Sequence, residues 1–268
     1  MTRPIPNVLT IAGSDSGGGA GIQADLKAFS ALGAYGASVI TALTAQNTRG
    51  VTAIHTPDPA FVAAQLDAVF DDIRIDAVKI GMLANAQIAR AVADALRRHR
   101  PKYVVLDTVM ISKSNHALLA PDAIAAVRDE LLPLADLLTP NLPEAAALLA
   151  LSAATDEAGM IAQGEALRAL GARAVLMKGG HLAAADSPDW LVQDSGTLRL
   201  GAPRVPVKNT HGTGCTLSSA IAALIPQRAD LATAVADAKT YLTGALQASD
   251  RLEVGHGVGP VHHFYQWW

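Results

Sequence analysis

Residues 8–25 read Val8-Leu9-Thr10-Ile11-Ala12-Gly13-Ser14-Asp15-Ser16-Gly17-Gly18-Gly19-Ala20-Gly21-Ile22-Gln23-Ala24-Asp25. A short apolar run passes through a turn holding five glycines into a segment of helical character, the opening of a strand-turn-helix unit. The same alternation continues along the chain. Apolar runs at residues 8–12, 37–44, 77–80, 103–106, 137–139 and 174–177 are separated by Ala/Leu-rich stretches. Val62, Leu66, Val69, Phe70 and Ile73 fall at i, i+4, i+7, i+8 and i+11, and Ile88, Val92, Ala95 and Leu96 repeat that spacing, so each stretch has one apolar helical face. Further helices are expected over residues 121–131, 142–149, 156–170, 213–224 and 230–248, with an antiparallel hairpin from 190–192 and 197–200. The pattern predicts an α/β fold with a mostly parallel central sheet and helices on both faces. No repeat, low-complexity block or linker interrupts it, so residues 1–268 are expected to form one domain.

Composition narrows the function classes. Half of the residues are hydrophobic and 17% are charged, which excludes an intrinsically disordered chain. Lys and Arg number 21 against 24 Asp and Glu, for a net charge of −3, and no long basic run offers a footprint for nucleic acid or an anionic membrane. Residues 28–48 carry no charge, yet Ser30, Ser38, Thr41, Thr44, Gln46, Asn47 and Thr48 make them too polar to span a bilayer, and Gly33 and Gly36 break them. The run at 8–12 is too short for a signal-peptide core. One cysteine, Cys215, permits no internal disulfide, and no CxxC spacing suggests zinc, so a reducing, cytoplasmic setting is expected.

Ligands of open α/β sheets bind beyond the carboxyl ends of the strands, and the residues there are polar. Gly19-Ala20-Gly21-Ile22-Gln23-Ala24 fits a relaxed GxGxxA, but the acidic residue that would hold a ribose about 20 positions on is replaced by Gln46 and Asn47. Five glycines exceed what a tight turn needs and point to close approach of a ligand. Asn209-Thr210-His211-Gly212-Thr213-Gly214-Cys215-Thr216 leads into a small-residue helix whose first amides would form an anion hole. The same field is expected to lower the Cys215 pKa, making it a proton acceptor or hydrogen-bond partner; the alternative is a small buried apolar residue. Asn141 and Glu144, in Thr139-Pro140-Asn141-Leu142-Pro143-Glu144, would share the first turn of a helix, as a site for hydrated Mg²⁺, as a capping pair, or as both. Asp107 is a turn residue or a second carboxylate near the metal. Lys178, with Gly179 and Gly180, offers a charge and free amides to phosphate oxygens, or is an exposed lysine at a strand end.

Taken together, Gly17-Gly18-Gly19-Ala20-Gly21 with Gln23-Ala24-Asp25, the quartet Asn141-Leu142-Pro143-Glu144, Met177-Lys178-Gly179-Gly180 and Gly212-Thr213-Gly214-Cys215 resemble the ribokinase-like superfamily. More narrowly, the chain resembles the hydroxymethylpyrimidine/phosphomethylpyrimidine kinase family of thiamine biosynthesis. That likeness runs through Val78-Lys79-Ile80-Gly81-Met82-Leu83, Leu106-Asp107-Thr108-Val109-Met110 and Gly257-Val258-Gly259-Pro260-Val261-His262-His263. The resemblance implies a ribokinase-like fold and successive phosphorylation of 4-amino-5-hydroxymethyl-2-methylpyrimidine and its monophosphate, with ATP and Mg²⁺. It places Asn141 and Glu144 in a motif that organises magnesium and phosphate and makes the GTGC turn an anion hole; with the residue chemistry above, Asn141, Lys178, Thr210 and Gly212 are expected at the nucleotide, Glu144 and Asp107 at the metal, and Gly212, Thr213, Gly214, Cys215 and Lys178 in catalysis. Pyrimidine contacts map to Gly13, Asp25, Gln46, Met82 and Val109. The Gln46 amide suits that task, because its donor and acceptor match the exocyclic amine and ring nitrogen of a 4-aminopyrimidine. Sugar kinases of the superfamily carry an aspartate base where Cys215 stands, and cysteine there agrees with the pyrimidine branch. The rivals are a pyridoxal or pyridoxine kinase of the same superfamily and a non-catalytic pyrimidine-binding regulator; Lys178, Glu144 and Cys215 together count against the regulator. Some family members are fused to a thiamine-phosphate synthase or a regulatory domain, and the closing Trp267-Trp268 predicts neither. The expected partners are the small pyrimidine and a second copy of the chain in a homodimer.

Overall fold

Both faces of the first strand are buried: Val8 packs into one apolar cluster, and Leu9 and Ile11 pack into another on the opposite side. Such strands belong inside a sheet covered on both faces. The structure, a computed structural model, describes residues 4–110, 121–182 and 186–268. Its strands are β1 (Asn7–Asp15), β2 (Tyr35–Asn47), β3 (Gly50–His55), β4 (Ala77–Ile80), β5 (Val104–Leu106), β6 (Leu137–Leu138), β7 (Ala174–Lys178), β8 (Asp189–Gln193) and β9 (Gly196–Leu200). They form one sheet in the order β3-β2-β1-β4-β5-β6-β7-β8-β9. The six from β2 to β7 run parallel, while β3, β8 and β9 are antiparallel additions at the two edges.

Helices α1 (Gly21–Ala31), α2 (Pro59–Asp72), α3 (Ala86–His99), α4 (Pro121–Ala126), α5 (Leu142–Leu149), α6 (Glu157–Ala169), α7 (Thr213–Leu224) and α8 (Leu231–Gln247) cover the sheet. Residues of α2 to α6 share the cluster of Leu9 and Ile11, and residues of α1, α7 and α8 share that of Val8. No helix among the described residues is long and apolar enough to cross a membrane.

The expected helices at 142–149 and 213–224 coincide with α5 and α7. The starts expected at Asp156 and Asp230 are N-caps, whose carboxylates accept the amides of Gly159 at 2.7 Å and Thr233 at 2.8 Å. Two expectations are corrected. The helix expected over 121–131 is α only as far as Ala126 and continues as a π turn over Val127–Leu131. Strand β2 runs from 35 to 47 rather than 37 to 44, and β3 was not foreseen, because this edge strand is largely exposed and needs no apolar run.

Since β1 lies between β2 and β4, the chain leaves β1 in both directions and a crevice opens at its carboxyl end. Under that crevice lies a buried ion pair. Lys79 Nζ of β4 is 2.9 Å from both oxygens of Asp25 on α1, and neither side chain has any exposed surface. The same carboxylate accepts the Thr10 hydroxyl of β1 and the Ser219 hydroxyl of α7, each at 2.6 Å. Burial disfavours the Lys79 charge, but Asp25 beside it reverses the balance and raises its pKa. Removing one partner leaves an uncompensated buried charge. Asp25→Asn is therefore expected to destabilise the fold by about 3–5 kcal/mol, measured by urea unfolding, and a loss below about 1 kcal/mol would refute this account.

Candidate active site

One cleft collects the carboxyl ends of the parallel strands. Gly13 from β1, Gln46 from β2, Met82 after β4, Asp107 and Val109 after β5, Asn141 after β6 and Lys178 from β7 line it, with Glu144 of α5 and residues 212–215 at the start of α7. These include every expected site residue except two. Asp25 lies beneath the cleft, because both its oxygens are occupied by Lys79, Thr10 and Ser219; its partner Lys79 reaches the lining in its place. Thr210 lies outside the lining, and its carbonyl accepts the Thr213 hydroxyl at 2.6 Å. A Cβ on Gly13 would meet the Met82 Cε methyl at 2.8 Å, so any side chain there would have to displace the end of Met82.

At one end of the cleft, charge is concentrated around Lys178. Its Nζ lies 3.1 Å from Asp107 Oδ1 and 3.8 Å from Glu144 Oε2. Asp107 also accepts the hydroxyls of Thr139 at 3.2 Å and Ser218 at 3.1 Å. Burial alone would push Asp107 up, but Lys178 and Lys79 hold it below the usual carboxylate range. Glu144 moves the other way: burial raises its pKa, Lys178 opposes the rise, and the Asp107 charge adds to it. Asn141 and Glu144 form a complete capping box, with Asn141 Oδ1 accepting the Glu144 amide at 2.9 Å and Glu144 Oε2 accepting the Asn141 amide at 2.8 Å. The cap holds a carboxylate in the cleft, so the structural and chemical roles coincide. The expectation of a free Gly179 amide is corrected. That amide donates to Asp189 Oδ1 at 3.0 Å, and the other Asp189 oxygen pairs with Lys239 at 2.7 Å.

Three amides of the glycine-rich turn close on a carboxylate of the same loop, while that of Gly21 faces Cys215. Gly17 donates to Asp15 Oδ1 at 2.8 Å, and Gly19 and Ala20 donate to Asp15 Oδ2 at 3.1 and 2.9 Å. The anion in this cradle is the chain's own carboxylate. Burial would raise the Asp15 pKa, but the His211 contact and the amides outweigh it and hold the group low. His211 Nε2 lies 2.9 Å from Asp15 Oδ2 and 3.2 Å from Gln46 Nε2, while Gln46 Oε1 is 3.1 Å from the Thr44 hydroxyl. His211 and Asp15 stand 196 positions apart and were not singled out as site residues, although both lie in quoted motifs. Glycine is required where the two loops meet: Gly212 has φ +78°, and a Cβ on it would collide with the Gly19 carbonyl.

Cys215 is half-buried at the first turn of α7. The expected lowering of its pKa is overturned. Burial pushes the thiol up to about 11, Asp25 and Asp107 add to the rise, and Lys79 with the Gly21 amide only partly offsets it.

Comparison with known proteins follows the same outline. The chain matches the family model described as phosphomethylpyrimidine kinase over residues 15–262. It is 61% identical to the hydroxymethylpyrimidine/phosphomethylpyrimidine kinase of Escherichia coli K12 over 98% of each chain. It is 52% identical to the thiamine biosynthesis bifunctional protein ThiED of Geobacter sulfurreducens, over 97% of this chain and 52% of the longer protein. Among solved structures, the ADP complex of Bacillus subtilis pyridoxal kinase superposes with a TM-score of 0.90 at 34% identity, covering 98% of this chain and 99% of that one. Phosphomethylpyrimidine kinase from Clostridium difficile 630 gives 0.81 at 44% identity, covering 90% and 99%.

Because Cys215 is the sole cysteine, its titration can be read from alkylation of the whole protein. The rate with iodoacetamide should climb through neutral and alkaline pH toward an inflection near pH 11. An inflection at or below the ordinary thiol value of about 8.5 would show that the helix field outweighs burial.

Proposed function

The chain belongs to the phosphomethylpyrimidine kinase family, and on that footing we infer that it transfers phosphoryl groups from ATP to hydroxymethylpyrimidine and then to its monophosphate, for thiamine biosynthesis. The observation that carries this reading is one cleft holding the Gln46 amide, the Lys178 cation with two carboxylates, and the amides that open α7. The 61% identity to a pyrimidine kinase, against 34% to a pyridoxal kinase, favours the pyrimidine as substrate.

Each residue has a task in this reading. Gln46 reads the aminopyrimidine edge, and Met82 and Val109 pack against the ring, with Gly13 leaving the space that Met82 fills. Lys178, kept charged by Asp107, meets phosphate oxygens together with Asn141 and Gly212. The amides of residues 212–215 receive charge that develops on the transferring group. Cys215 stands at the start of α7 as the acceptor of the hydroxymethyl proton: its own proton first passes to water, and the thiolate then takes the hydroxymethyl proton as the bond from that oxygen to phosphorus forms and the bond from phosphorus to the departing ADP breaks. Among the described residues no three His, Cys, Asp or Glu side chains converge as a metal cage. A lone buried carboxylate backed by a second suits Mg²⁺, which is held largely by substrate phosphates and water. Glu144 and Asp107 would hold it there, and the ion would neutralise and orient the phosphates. Charge crowding on Glu144 is what such a cation relieves.

We extend the reading to a cytoplasmic enzyme whose residues 1–268 act as one kinase domain, consistent with a single cysteine. A homodimer would add its second copy at the outer edge of β3, where Ile54 is exposed.

The test supplies ATP and Mg²⁺ with either the alcohol or the monophosphate and identifies products by mass spectrometry. Monophosphate and diphosphate are expected in turn; failure to phosphorylate either substrate removes the reading. Cys215→Ala should depress the first step far more than the second, within the 10²–10⁴-fold range of acid–base help, because a phosphate monoester is already about 90% dianionic near neutral pH. Equal loss in both steps would make Cys215 a packing residue.

Glu144→Gln keeps the shape and capping ability while removing the charge. It should raise the Mg²⁺ concentration for half-maximal rate about tenfold or more, with little change in Tm. An unchanged Mg²⁺ requirement would exclude Glu144 from the metal site.

A further inference from the structure

Hydrogen-bond accounting around Gln46 decides which way its amide faces. Asp15 is buried and carries three backbone amides, and His211 Nε2 is 2.9 Å from its Oδ2. A carboxylate only accepts, so His211 Nε2 carries a proton and donates it there. The opposite tautomer would set a nitrogen lone pair against a carboxylate oxygen. That same nitrogen lies 3.2 Å from Gln46 Nε2, which sets donor against donor. The other end of the amide is also over-subscribed. The Thr44 hydroxyl has one proton, yet it faces both the Ser14 carbonyl at 2.9 Å and Gln46 Oε1 at 3.1 Å.

A half-turn of the amide about its last torsion resolves both conflicts. The oxygen then shares the His211 proton, the amino group donates to Thr44 Oγ1, and the Thr44 proton goes to Ser14. We propose that Asp15 and His211 act as a lock that holds the Gln46 amide with its oxygen toward His211 and its amino group toward Thr44, so that the cleft selects a 4-aminopyrimidine over the 4-oxo analogue. This rests on the reading of Gln46 as the pyrimidine contact.

The lock also sets direction. A 4-aminopyrimidine places its amine on the Gln46 oxygen and its ring nitrogen on the amino group, so the amine lies on the His211 side. The hydroxymethyl group neighbours the amine on the ring and is carried further that way, toward residues 212–215, which line the same cleft with His211. In the 4-oxo analogue donor and acceptor exchange places. It matches a locked amide only when turned over, which points its hydroxymethyl group away from those amides. An unlocked glutamine would rotate and accept it the right way round. Asp15 and His211 are thus positioning residues for substrate choice.

The test compares kcat/KM for the 4-amino substrate and its 4-oxo analogue in the full chain, the wild type being expected to prefer the amine by about 100-fold or more. In His211→Phe the amide is free to turn, and the preference should fall by about tenfold or more through gain of the oxo reaction. Asp15→Asn should act in the same direction, because an asparagine can donate to His211 and admit the other tautomer. Nitrogen-15 NMR of the wild type, with His211 assigned by comparison against the variant, should show Nε2 protonated, and this readout stands even if a variant fails to fold. A protonated Nδ1 with a bare Nε2, or an unchanged amine-to-oxo ratio in a folded variant, overturns the lock. Gln46→Leu separates the two failures. If it leaves the amine reaction intact, the placement of the pyrimidine is wrong. If it abolishes recognition while His211→Phe keeps the ratio, only the lock is wrong.

Discussion

The pair formed by Lys79 and Asp25 is the constraint on which the cleft depends. Its charges come from β4 and α1, and the hydroxyls that complete it come from β1 and α7. Those four elements surround the point where the sheet changes direction. A buried ion pair contributes little net stability against an apolar replacement, but it tolerates few geometries, because every oxygen and proton must find its partner. The cleft floor inherits that precision: Lys79 contributes to the lining from below, while Cys215, near the start of α7, is fixed relative to the end of β1.

The glycines act through the backbone rather than through a ligand. Gly19 and Gly212 let two distant loops touch main chain to main chain, and the amides of the first loop close on Asp15. A cradle of this kind ordinarily invites an external phosphate. With an internal carboxylate in place, the loop becomes a rigid wall, and anion binding is left to the start of α7 and to Lys178. The two clusters therefore carry different chemistry: the Gln46 amide held beside an enclosed Asp15 carboxylate in one, and Lys178 with Asp107 and Glu144 in the other.

Much of this was legible in the sequence, for identifiable reasons. Strands buried on both faces appear as apolar runs, and helices such as α5 and α7 announce their starts through Asn141 and Gly212. Strand β3 was not legible, because an exposed edge strand such as Gly50–His55 has no apolar signature. Cleft membership was legible for residues that directly follow strands, including Met82, Asp107 and Asn141. It failed for Asp25, since the sequence does not show that Lys79, 54 positions away, captures its carboxylate. The Cys215 shift was misjudged for a related reason: helix position is a local property, whereas burial among Asp25 and Asp107 is a property of the fold.

The raised Cys215 pKa bears on how this protein meets oxidative stress. Peroxide and soft electrophiles attack thiolates, and a sulfur that stays protonated at neutral pH reacts slowly with them. The only cysteine in the chain sits in the cleft where damage would matter most. The burial that withholds its proton keeps the sulfur in that slow-reacting form, so the cleft should resist oxidation at neutral pH.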